Sequence, residues 1–453
     1  MVSTSRPGRG LSPCLQMTEA IAPMGRQSAF GLTCKLELNI KKLMSDVTII
    51  NDPVFGFIRI PRGLLYDIVQ HPLFQRLNRI NQLGLASVVY PGARHTRFQH
   101  SLGAFHLMSE AILSLQQKGQ FIFDSEAEAV QAAILMHDIG HGPFSHVLEN
   151  TLIHGISHED ISLLMMEQIN HDLHDQLGMA IAIFKDEYPK RFLHQLISSQ
   201  LDMDRLDYLR RDSFFTGVTE GNIGSARIIK MLNVVDDRLV VEQKGIYSLE
   251  NYLTTRRLMY WQVYLHKTAV AYEKVLVNML RRAKYLTQQG ESEEILSHLS
   301  APLAYFLQND VDALWFKEHD EALRMYGELD DSDIWSAMKA WRHSHDKILS
   351  TLATDMLDRR IFRVEVHEHP IPEERIAELQ QEIAKKMDIP LEDAHYMMEV
   401  VTLSKDMYSA DEDSIDILYK DGTIRDITQA SELLNVELLS RKVSKYYLCY
   451  QRL

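Results

Sequence analysis

The sequence predicts a mainly helical protein with a smaller mixed α/β region at its C-terminal end. Apolar residues recur at three- and four-residue intervals through much of residues 45–358, as they do along helices that bury one face. After about residue 359 the pattern changes to alternation and hairpin signals, which indicate short strands. We therefore expect a helical domain over residues 45–358 and a mixed α/β domain over residues 359–453.

The N-terminal 43 residues are weakly periodic, and we expect them to form a disordered extension. The pattern sharpens at Met44, which is an alternative start of the native chain. Residues 47–50 then predict a strand, and short helices are expected at 64–69 and 74–83, on either side of Pro72.

The next helices carry histidines that could do chemistry. One helix opens at His100, has an apolar stripe on one face, and ends before Gly119. A capping box at residues 125–128 predicts the start of a second helix, which reaches Met136 and is stopped by the glycines that follow. Ser157 is a suitable N-cap for a third helix.

The later elements are predicted from periodicity and turn residues. In order they are helices through 190–212, a hairpin of 239–241 and 246–248 turning at Lys244 and Gly245, one long helix over 249–286, further helices to about 358, a strand at 361–366, a hairpin of 415–419 and 423–427 turning at Asp421 and Gly422, and a last strand at 446–450.

The composition excludes some classes of function. The 453 residues carry a net charge of −14, whereas proteins that grip long nucleic acids by their phosphates are usually basic. A small phosphorylated ligand is compatible with this charge, because local Arg and Lys residues can serve it. The three cysteines form no CxxC pair, which indicates a reducing compartment, and we expect a cytoplasmic protein. No apolar run is long enough to span a bilayer, so no membrane association is expected.

Three separated segments together contain the donors for one divalent metal. They are RFQHSLG at 97–103, LMHDIGHGPFSH at 135–146 and QLDMDRLDY at 200–208. His100, the adjacent His137 and Asp138, and one aspartate of the third segment supply two nitrogen and two carboxylate ligands. Such a set suits Fe, Mn, Mg or Zn, leaves coordination positions open, and allows bound water to become a nucleophile near neutral pH.

The choice of the fourth ligand rests on helical spacing. Asp204 shares a helix face with Tyr208 and Asp212, which follow at four-residue intervals, and we therefore predict Asp204. Asp202 and Asp207 of the same segment compete with it for this position, and Asp202 is the alternative.

These segments resemble the HD-domain phosphohydrolases. More narrowly, they are similar to the deoxynucleoside triphosphate triphosphohydrolase branch, which includes an enzyme with SAM and HD domains and its bacterial relatives. The similarity covers about residues 50–290 and also includes FQRL at 74–77, QLG at 82–84, YPGA at 90–93 and YLHK at 264–267. A SAM domain is not apparent. The resemblance implies a helical HD core that hydrolyses a deoxynucleoside triphosphate at the α-phosphorus, releasing the deoxynucleoside and inorganic triphosphate.

The resemblance also implies roles for individual residues. His100, His137, Asp138 and Asp204 match the metal ligands of the family. His141, His146 and His158 match histidines near the phosphates or the leaving oxygen, and His146 or His158 is the favoured general acid because a histidine can donate a proton near neutral pH.

The remaining candidates would bind the nucleotide. Arg97, Arg205, Arg256 and Lys267 are expected near the phosphates. Gln82 and Asp212 match positions that hydrogen-bond the deoxyribose 3′-hydroxyl, Tyr208 matches one near the phosphates, and Tyr264 matches one that packs under the sugar. Leu83 is expected in the same binding site.

Two other functions are compatible with the sequence. A nucleoside monophosphatase or cyclic-nucleotide phosphodiesterase would use the same metal site, and a nucleotide-sensing scaffold would retain the fold without turnover. The larger members of this family use N-terminal and interfacial residues to bind an activating nucleotide and to assemble, and residues 1–60 show no match to those segments. A nucleotide activator and a homo-oligomer, either a dimer or a tetramer, are therefore expected from the resemblance alone.

Overall fold

The structure is a computed structural model that describes residues 47–144, 146–149, 151–405, 414–431 and 443–452. Residues Thr48–Leu453 belong to one compact unit. The predicted disordered extension at 1–43 and the alternative start at Met44 lie outside the described residues. The division between a helical and a mixed domain near residue 358 stays a prediction.

Helices dominate the described part of the chain, so the predicted fold class is confirmed. The α-helices are α1 Leu64–Gln70, α2 Pro72–Gln75, α3 Arg97–Gln117, α4 Asp124–Met136, α5 His146–Glu149, α6 His158–Asp172, α7 Gly178–Phe184, α8 Arg191–Gln195, α9 Met203–Thr216, α10 Ser225–Met231, α11 Ile246–Met259, α12 Lys267–Gln288, α13 Ser292–Leu296, α14 Ala301–Gln308, α15 Ala313–Glu318, α16 Asp320–Glu328, α17 Asp331–Trp341, α18 Lys347–Leu357, α19 Glu373–Met387 and α20 Ile427–Ala430. Short 3₁₀ turns lie at Arg76–Arg79, Gly84–Val88, Thr219–Gly221, Gln243–Gly245 and Leu391–Met397. Among the residues described, no helix is both long enough and apolar enough to cross a bilayer.

The strands form small sheets at the edges of the helical core. They are β1 Val47–Asp52, β2 Gly56–Pro61, β3 Ile153–His154, β4 Leu232–Val235, β5 Arg238–Glu242, β6 Val311–Asp312, β7 Arg363–His367, β8 Met398–Lys405, β9 Asp416–Leu418, β10 Ile424–Asp426 and β11 Val443–Tyr450. Their sheet orders are β1-β2, β10-β9-β5-β4, β7-β11-β8 and β3-β6.

Helices α3, α4 and α9 pack together and position the candidate site. The apolar stripe of α3 is buried as its spacing predicts, with Leu102, Phe105 and Met108 almost fully enclosed. A Cβ at Gly103 would lie 1.9 Å from Asp207 Oδ1, so only glycine allows α3 and α9 to approach this closely. This close approach brings the carboxylates of α9 to the histidine at the start of α3.

The predicted long helix over 249–286 is wrong, because the structure divides it. Helix α11 ends at Met259, a π-helical turn follows at Tyr260–Tyr264, and α12 starts after His266, whose Nδ1 accepts a hydrogen bond from the backbone N–H of Thr268 at 3.2 Å. The spacing of apolar residues does not show such a turn. A π-helical turn holds one residue more than an α-helical turn, and that residue need not be of a special type.

The first predicted hairpin is also wrong in its position. The structure pairs β4 with β5 around Asp236 and Asp237, both of which have positive φ, and residues 246–248 begin α11 instead. Aspartate tolerates positive φ better than most residues. The turn of the hairpin therefore lies at Asp236 and Asp237, and not at Lys244 and Gly245 as predicted.

The hairpin predicted around Asp421 and Gly422 is confirmed by the antiparallel pairing of β9 with β10. Strand β9 also pairs in parallel with β5. The C-terminal hairpin therefore completes a sheet that the segment after α10 begins.

One predicted helix start is displaced by two residues. Helix α4 begins at Asp124, and the Glu126 carboxylate accepts a hydrogen bond from the backbone N–H of Phe123 at 2.9 Å. Ser125 is therefore inside the helix and does not cap it. The start of α6 is confirmed, since Ser157 is its N-cap and its side chain accepts a hydrogen bond from the backbone N–H of Asp160.

Candidate active site

Donor atoms from three helices converge at one point. His100 lies in the first turn of α3, His137 follows the last residue of α4, and Asp204 lies in the first turn of α9. His100 Nε2 is 3.3 Å from His137 Nε2 and 3.0 Å from Asp204 Oδ1, and His137 Nε2 is 3.5 Å from the same oxygen. Both imidazoles are buried.

Asp138 completes this group. Its carboxylate lies 3.4 Å from His137 Nε2 through one oxygen and 3.6 Å from His100 Nε2 through the other. Arg97 Nη1 donates a hydrogen bond to Asp138 Oδ2 at 2.5 Å, which fixes the orientation of the carboxylate. The structure thus brings together the donor atoms of His100, His137 and Asp204 at one point, with the Asp138 carboxylate beside them.

The spacing of these atoms fits a divalent metal. Ligands at right angles around an ion, each about 2.1 Å from it, lie about 3 Å apart. His100 Nδ1 is within hydrogen-bond distance of Asp207 Oδ2, at 2.7 Å. His137 Nδ1 is within hydrogen-bond distance of the backbone oxygen of Ile134, also at 2.7 Å. These contacts leave both Nε2 atoms as the ligand atoms, and they set the tautomer that metal binding requires.

The electrostatics of the group also favour a cation. Burial lowers the pKa of His100, but hydrogen bonds with Asp204 and Asp207 outweigh this effect and raise its pKa to about 10. The pKa of Asp204 is held below its usual range, since the nearby histidines outweigh the effect of burial. The carboxylates of Asp138, Asp204 and Asp207 thus all lie within 3.6 Å of a nitrogen of His100, and this arrangement favours positive charge at the site.

Asp202, the alternative fourth ligand, lies elsewhere. It is the N-cap of α9, and its carboxylate accepts hydrogen bonds from the backbone N–H groups of Arg205 at 2.6 Å and Ser199 at 2.9 Å. Its negative charge at a helix N-terminus has a structural reason that needs no metal. Asp204 therefore stays our predicted ligand, with the geometry in its favour.

A buried ion-pair network supports His100 from behind. Asp207 accepts from Arg211 Nε at 2.9 Å, and Arg211 Nη1 donates to Asp52 Oδ2 at 2.7 Å. Asp207 and Arg211 have no exposed surface. The network links the metal centre to β1 and holds the Asp207 carboxylate in position against His100.

The substitution Asp207→Asn is expected to weaken metal binding by about 10- to 100-fold. The neutral amide still fits the site, but it lowers the basicity of His100 and does not enforce one ring orientation. Metal affinity measured by competition with a chromogenic chelator tests this, with Glu110→Gln on the exposed face of α3 as the control. Unchanged affinity in Asp207→Asn would contradict a supporting role for this carboxylate.

A second group of side chains lies beside Asp138. The rings of His141 and His158 stack, with centroids 3.9 Å apart and an interplanar angle of 17°. His141 Nε2 is 3.5 Å from Asp138 Oδ1, and Glu149 Oε1 is 3.1 Å from His158 Nδ1. His146 is the first residue of α5, but its side chain lies outside the described residues.

The environment distinguishes two of these histidines. Burial lowers the pKa of His141 to about 3, and the charge of Arg97 adds to this effect. His141 is therefore neutral near pH 7 and is suited to accept or relay a hydrogen bond, not to act as an acid. His158 has a carboxylate on its Nδ1, an arrangement that orients the ring for proton transfer through Nε2.

Aromatic rings extend from the metal centre. The Tyr208 ring lies 6.5 Å from the His100 ring and 6.0 Å from the Tyr264 ring, and the Tyr260 ring lies 5.3 Å from Tyr264. Burial raises the pKa of Tyr208 and of Tyr264 well above the usual range, so both hydroxyls stay protonated and can donate hydrogen bonds.

The predicted phosphate-binding residues have different surroundings. Arg97 adjoins the metal centre through Asp138, and Arg205 Nε donates to Asp202 Oδ2 at 3.0 Å. Arg256 Nη1 donates to Gln200 Oε1 at 2.8 Å, and its guanidinium lies 6.0 Å from the centre of the Tyr260 ring. Lys267 is exposed at the start of α12. The roles of these four residues stay predictions.

The predicted sugar-binding residues are joined through His95. Asp212 Oδ1 contacts His95 Nε2 at 2.7 Å, and Asp212 Oδ2 accepts from the Tyr264 hydroxyl at 2.8 Å. The side-chain oxygen of Gln82 is buried and has no hydrogen-bond partner among the described residues. Leu83, the next residue, is half-buried and packs against the core.

The sequence predicted no role for His95 or Glu149, and it offered Asp207 only as a competing metal ligand, not as the partner of His100. The spacing of Asp207 and Arg211, four residues apart on one helix, was a readable signal for an ion pair. Glu149 and His95 gave no comparable signal, because their partners lie on other elements of the fold, nine and 117 positions away.

Comparisons with known proteins agree with this geometry. Residues 97–212 match the model of the HD domain, and residues 223–310 match the HD associated region. A crystal structure of a phosphohydrolase from Bacteroides thetaiotaomicron is 64% identical, has a TM-score of 0.86, and is covered over 100% of its chain and 90% of this one. The chain belongs to the HD-domain phosphohydrolases. It is therefore a hydrolase that uses a divalent metal, and the cluster of His100, His137 and Asp204 could hold that metal.

Two relatives align with different shares of this chain. The uncharacterized protein YwfO of Bacillus subtilis is 31% identical over 88% of this chain and 90% of its own length. The human deoxynucleoside triphosphate triphosphohydrolase SAMHD1 is 30% identical over 56% of this HD-domain chain and 48% of its own length. The alignment thus spans about half of that enzyme.

Proposed function

We propose that this HD-domain protein hydrolyses deoxynucleoside triphosphates to the deoxynucleoside and inorganic triphosphate. The observation that carries the proposal is a continuous row of side chains from the metal centre to a buried carboxylate. The row runs from His100 through the rings of Tyr208 and Tyr264 to Asp212. A nucleotide whose α-phosphate met the metal would place its sugar along this row. The similarity to SAMHD1 supports the same substrate class.

The chain's own residues supply orientation and proton transfer. A divalent metal at this site makes bound water a nucleophile near neutral pH. Arg97 holds Asp138 and contributes positive charge close to where phosphate oxygens would lie. His158, oriented by Glu149, can donate a proton to the departing 5′ oxygen, and the neutral His141 packs against its ring. His146 stays a second candidate for the acid.

Product identification tests the proposal. The purified protein is stripped of metal, reloaded with Fe, Mn, Mg or Zn, and incubated with each dNTP, singly and mixed, because an activating nucleotide belongs to the proposal. We expect tripolyphosphate and deoxynucleoside in equal amounts. In ¹⁸O-labelled water the label should enter the tripolyphosphate, because attack at the α-phosphorus leaves the 5′ oxygen on the nucleoside.

Other products would favour the other hypotheses. Orthophosphate released from nucleoside monophosphates, or opening of a cyclic nucleotide, would contradict the proposal and indicate another HD phosphohydrolase. Nucleotide binding without turnover under any metal would indicate a sensing scaffold. Sedimentation with and without dNTP tests the proposed dimer or tetramer.

A further inference from the structure

His95 occupies a central position between the two residues proposed to bind the sugar. It is almost fully buried, and its ring stacks on the ring of Phe215 at 4.5 Å with an interplanar angle of 17°. Its side chain contacts Asp212 Oδ1 through Nε2 at 2.7 Å. Its backbone oxygen accepts a hydrogen bond from the backbone N–H of Gln82 at 2.9 Å. One residue thus holds both Gln82 and Asp212.

The contact with Asp212 has a defined polarity. An ionised carboxylate only accepts hydrogen bonds, so His95 Nε2 must carry the proton. The Tyr264 hydroxyl donates to the other oxygen of Asp212. Two donors therefore fix the plane of the carboxylate, while each oxygen keeps a second lone pair for a ligand hydroxyl.

Gln82 has a complementary unused group. Its side-chain oxygen is buried without a partner among the described residues, and a buried acceptor of this kind is destabilising unless a ligand or water donates to it. The hydrogen bond from the backbone N–H of Gln82 to the backbone oxygen of His95 fixes the position of the Gln82 backbone, from which this side chain extends. Gln82 and Asp212 thus each have an acceptor to which a ligand hydroxyl could donate its one proton, and the hydroxyl oxygen could in turn accept from the Gln82 amide N–H.

We propose that His95 is a positioning residue that sets recognition of the substrate's 3′-hydroxyl. This inference rests on the proposed function, because it assumes a deoxynucleotide whose sugar reaches Gln82 and Asp212. The Nε2–H group of His95 holds the Asp212 carboxylate in the orientation that receives the hydroxyl. His95 itself does not touch the substrate.

Three substitutions separate the hydrogen bond from the packing of the ring. His95→Gln keeps a donor that can reach the position of Nε2 but loses the aromatic stack on Phe215. His95→Phe keeps a flat ring on Phe215 but loses the donor. His95→Asn carries its amide nitrogen too close to the backbone to reach Asp212, and it provides a second variant without the hydrogen bond.

The readout is the ratio of kcat/KM for a dNTP to that for the matching 2′,3′-dideoxynucleoside triphosphate. We expect His95→Phe and His95→Asn to lower this ratio by about tenfold, mainly through a higher KM for the dNTP, since a hydrogen bond to a charged group contributes this much. His95→Gln should stay within about threefold of the native ratio, because it restores the donor. Metal content is measured in every variant to exclude an indirect effect.

Several results would overturn the inference. An unchanged ratio in both His95→Phe and His95→Asn would do so, and so would an equal loss of activity toward both substrates, which indicates a purely structural role. If neither variant folds, the ¹⁵N spectrum of histidine in the native protein decides, since the His95 Nε2 resonance must respond more to a dNTP than to its dideoxy analogue. A native protein that hydrolyses dNTPs without this dependence refutes only the inference, whereas one that hydrolyses none refutes the proposed function as well.

Discussion

Asp204→Ala is expected to remove the bound metal and to lower hydrolysis by at least about a thousandfold. Loss of the metal forfeits about 4 kcal/mol or more of transition-state stabilisation, and each 1.4 kcal/mol is about a tenfold change in rate. Asp204 Oδ1 lies 3.0 Å from His100 Nε2 and 3.5 Å from His137 Nε2, so it is one of the donor atoms that would contact the ion directly. The measurement is metal content by mass spectrometry together with phosphate-ester hydrolysis.

The chain offers a matched control two residues away. Asp202→Ala removes the N-cap of α9, where the carboxylate holds two backbone N–H groups. We expect this variant to lose about 1–2 kcal/mol of stability and to retain its metal. The opposite pattern, in which Asp202→Ala loses the metal and Asp204→Ala keeps it, would make Asp202 the ligand. Full metal content in both variants would contradict the predicted site.

Two residues of the predicted metal centre, His100 and His137, lie next to helix ends that can be predicted from the sequence. His100 is in the first turn of a helix with a clear apolar stripe, and His137 follows a helix that glycines terminate. Gly140 has a further reason that only the structure gives: a Cβ there would lie 2.2 Å from the backbone oxygen of His158. The glycine that ends one helix also allows α6 to approach the site.

The groups that orient the ligands could not be predicted in the same way. The contact of His158 with Glu149 joins different helices, and that of His95 with Asp212 spans 117 positions of the chain. Nothing in the local sequence around His95 distinguishes it from an ordinary core histidine. Such contacts depend on how helices pack, and periodicity does not specify packing.

The π-helical turn shows the same limit close to the proposed substrate. A continuous helix over 249–286, as predicted from the sequence, would place Arg256, Tyr260 and Tyr264 on one face at four-residue spacing. The turn at Tyr260–Tyr264 alters this spacing, yet the rings of Tyr260 and Tyr264 still meet at 5.3 Å. The turn also brings the Tyr264 hydroxyl to Asp212. An irregularity at this position is consistent with the frequent occurrence of π-turns at functional sites.

Arg211→Met is expected to destabilise the protein by about 3–5 kcal/mol, because it removes the only described cation that pairs directly with two buried carboxylates. Arg211 donates to Asp207 at 2.9 Å and to Asp52 at 2.7 Å, and all three side chains are almost fully enclosed. Methionine fills much of the same volume but leaves Asp52 without its cation, and Asp207 with only His100, in a medium that solvates charges poorly. The measurement is the midpoint of urea unfolding in the metal-free protein, which separates this effect from metal binding.

Arg324→Met is the matched control, since Arg324 also pairs with two carboxylates, Glu321 at 2.8 Å and Glu328 at 3.2 Å, but on the surface of α16. Exposed ion pairs contribute at most about 1 kcal/mol, so this variant should unfold close to the native midpoint. The triple variant of Arg211→Met, Asp207→Asn and Asp52→Asn should recover part of the loss, because it removes the stranded charges along with the cation. Equal midpoints for Arg211→Met and Arg324→Met would mean that the buried network adds nothing to stability. A large loss that the two asparagines do not reverse would assign the effect of Arg211 to packing, for instance against the ring of Phe55, and not to charge.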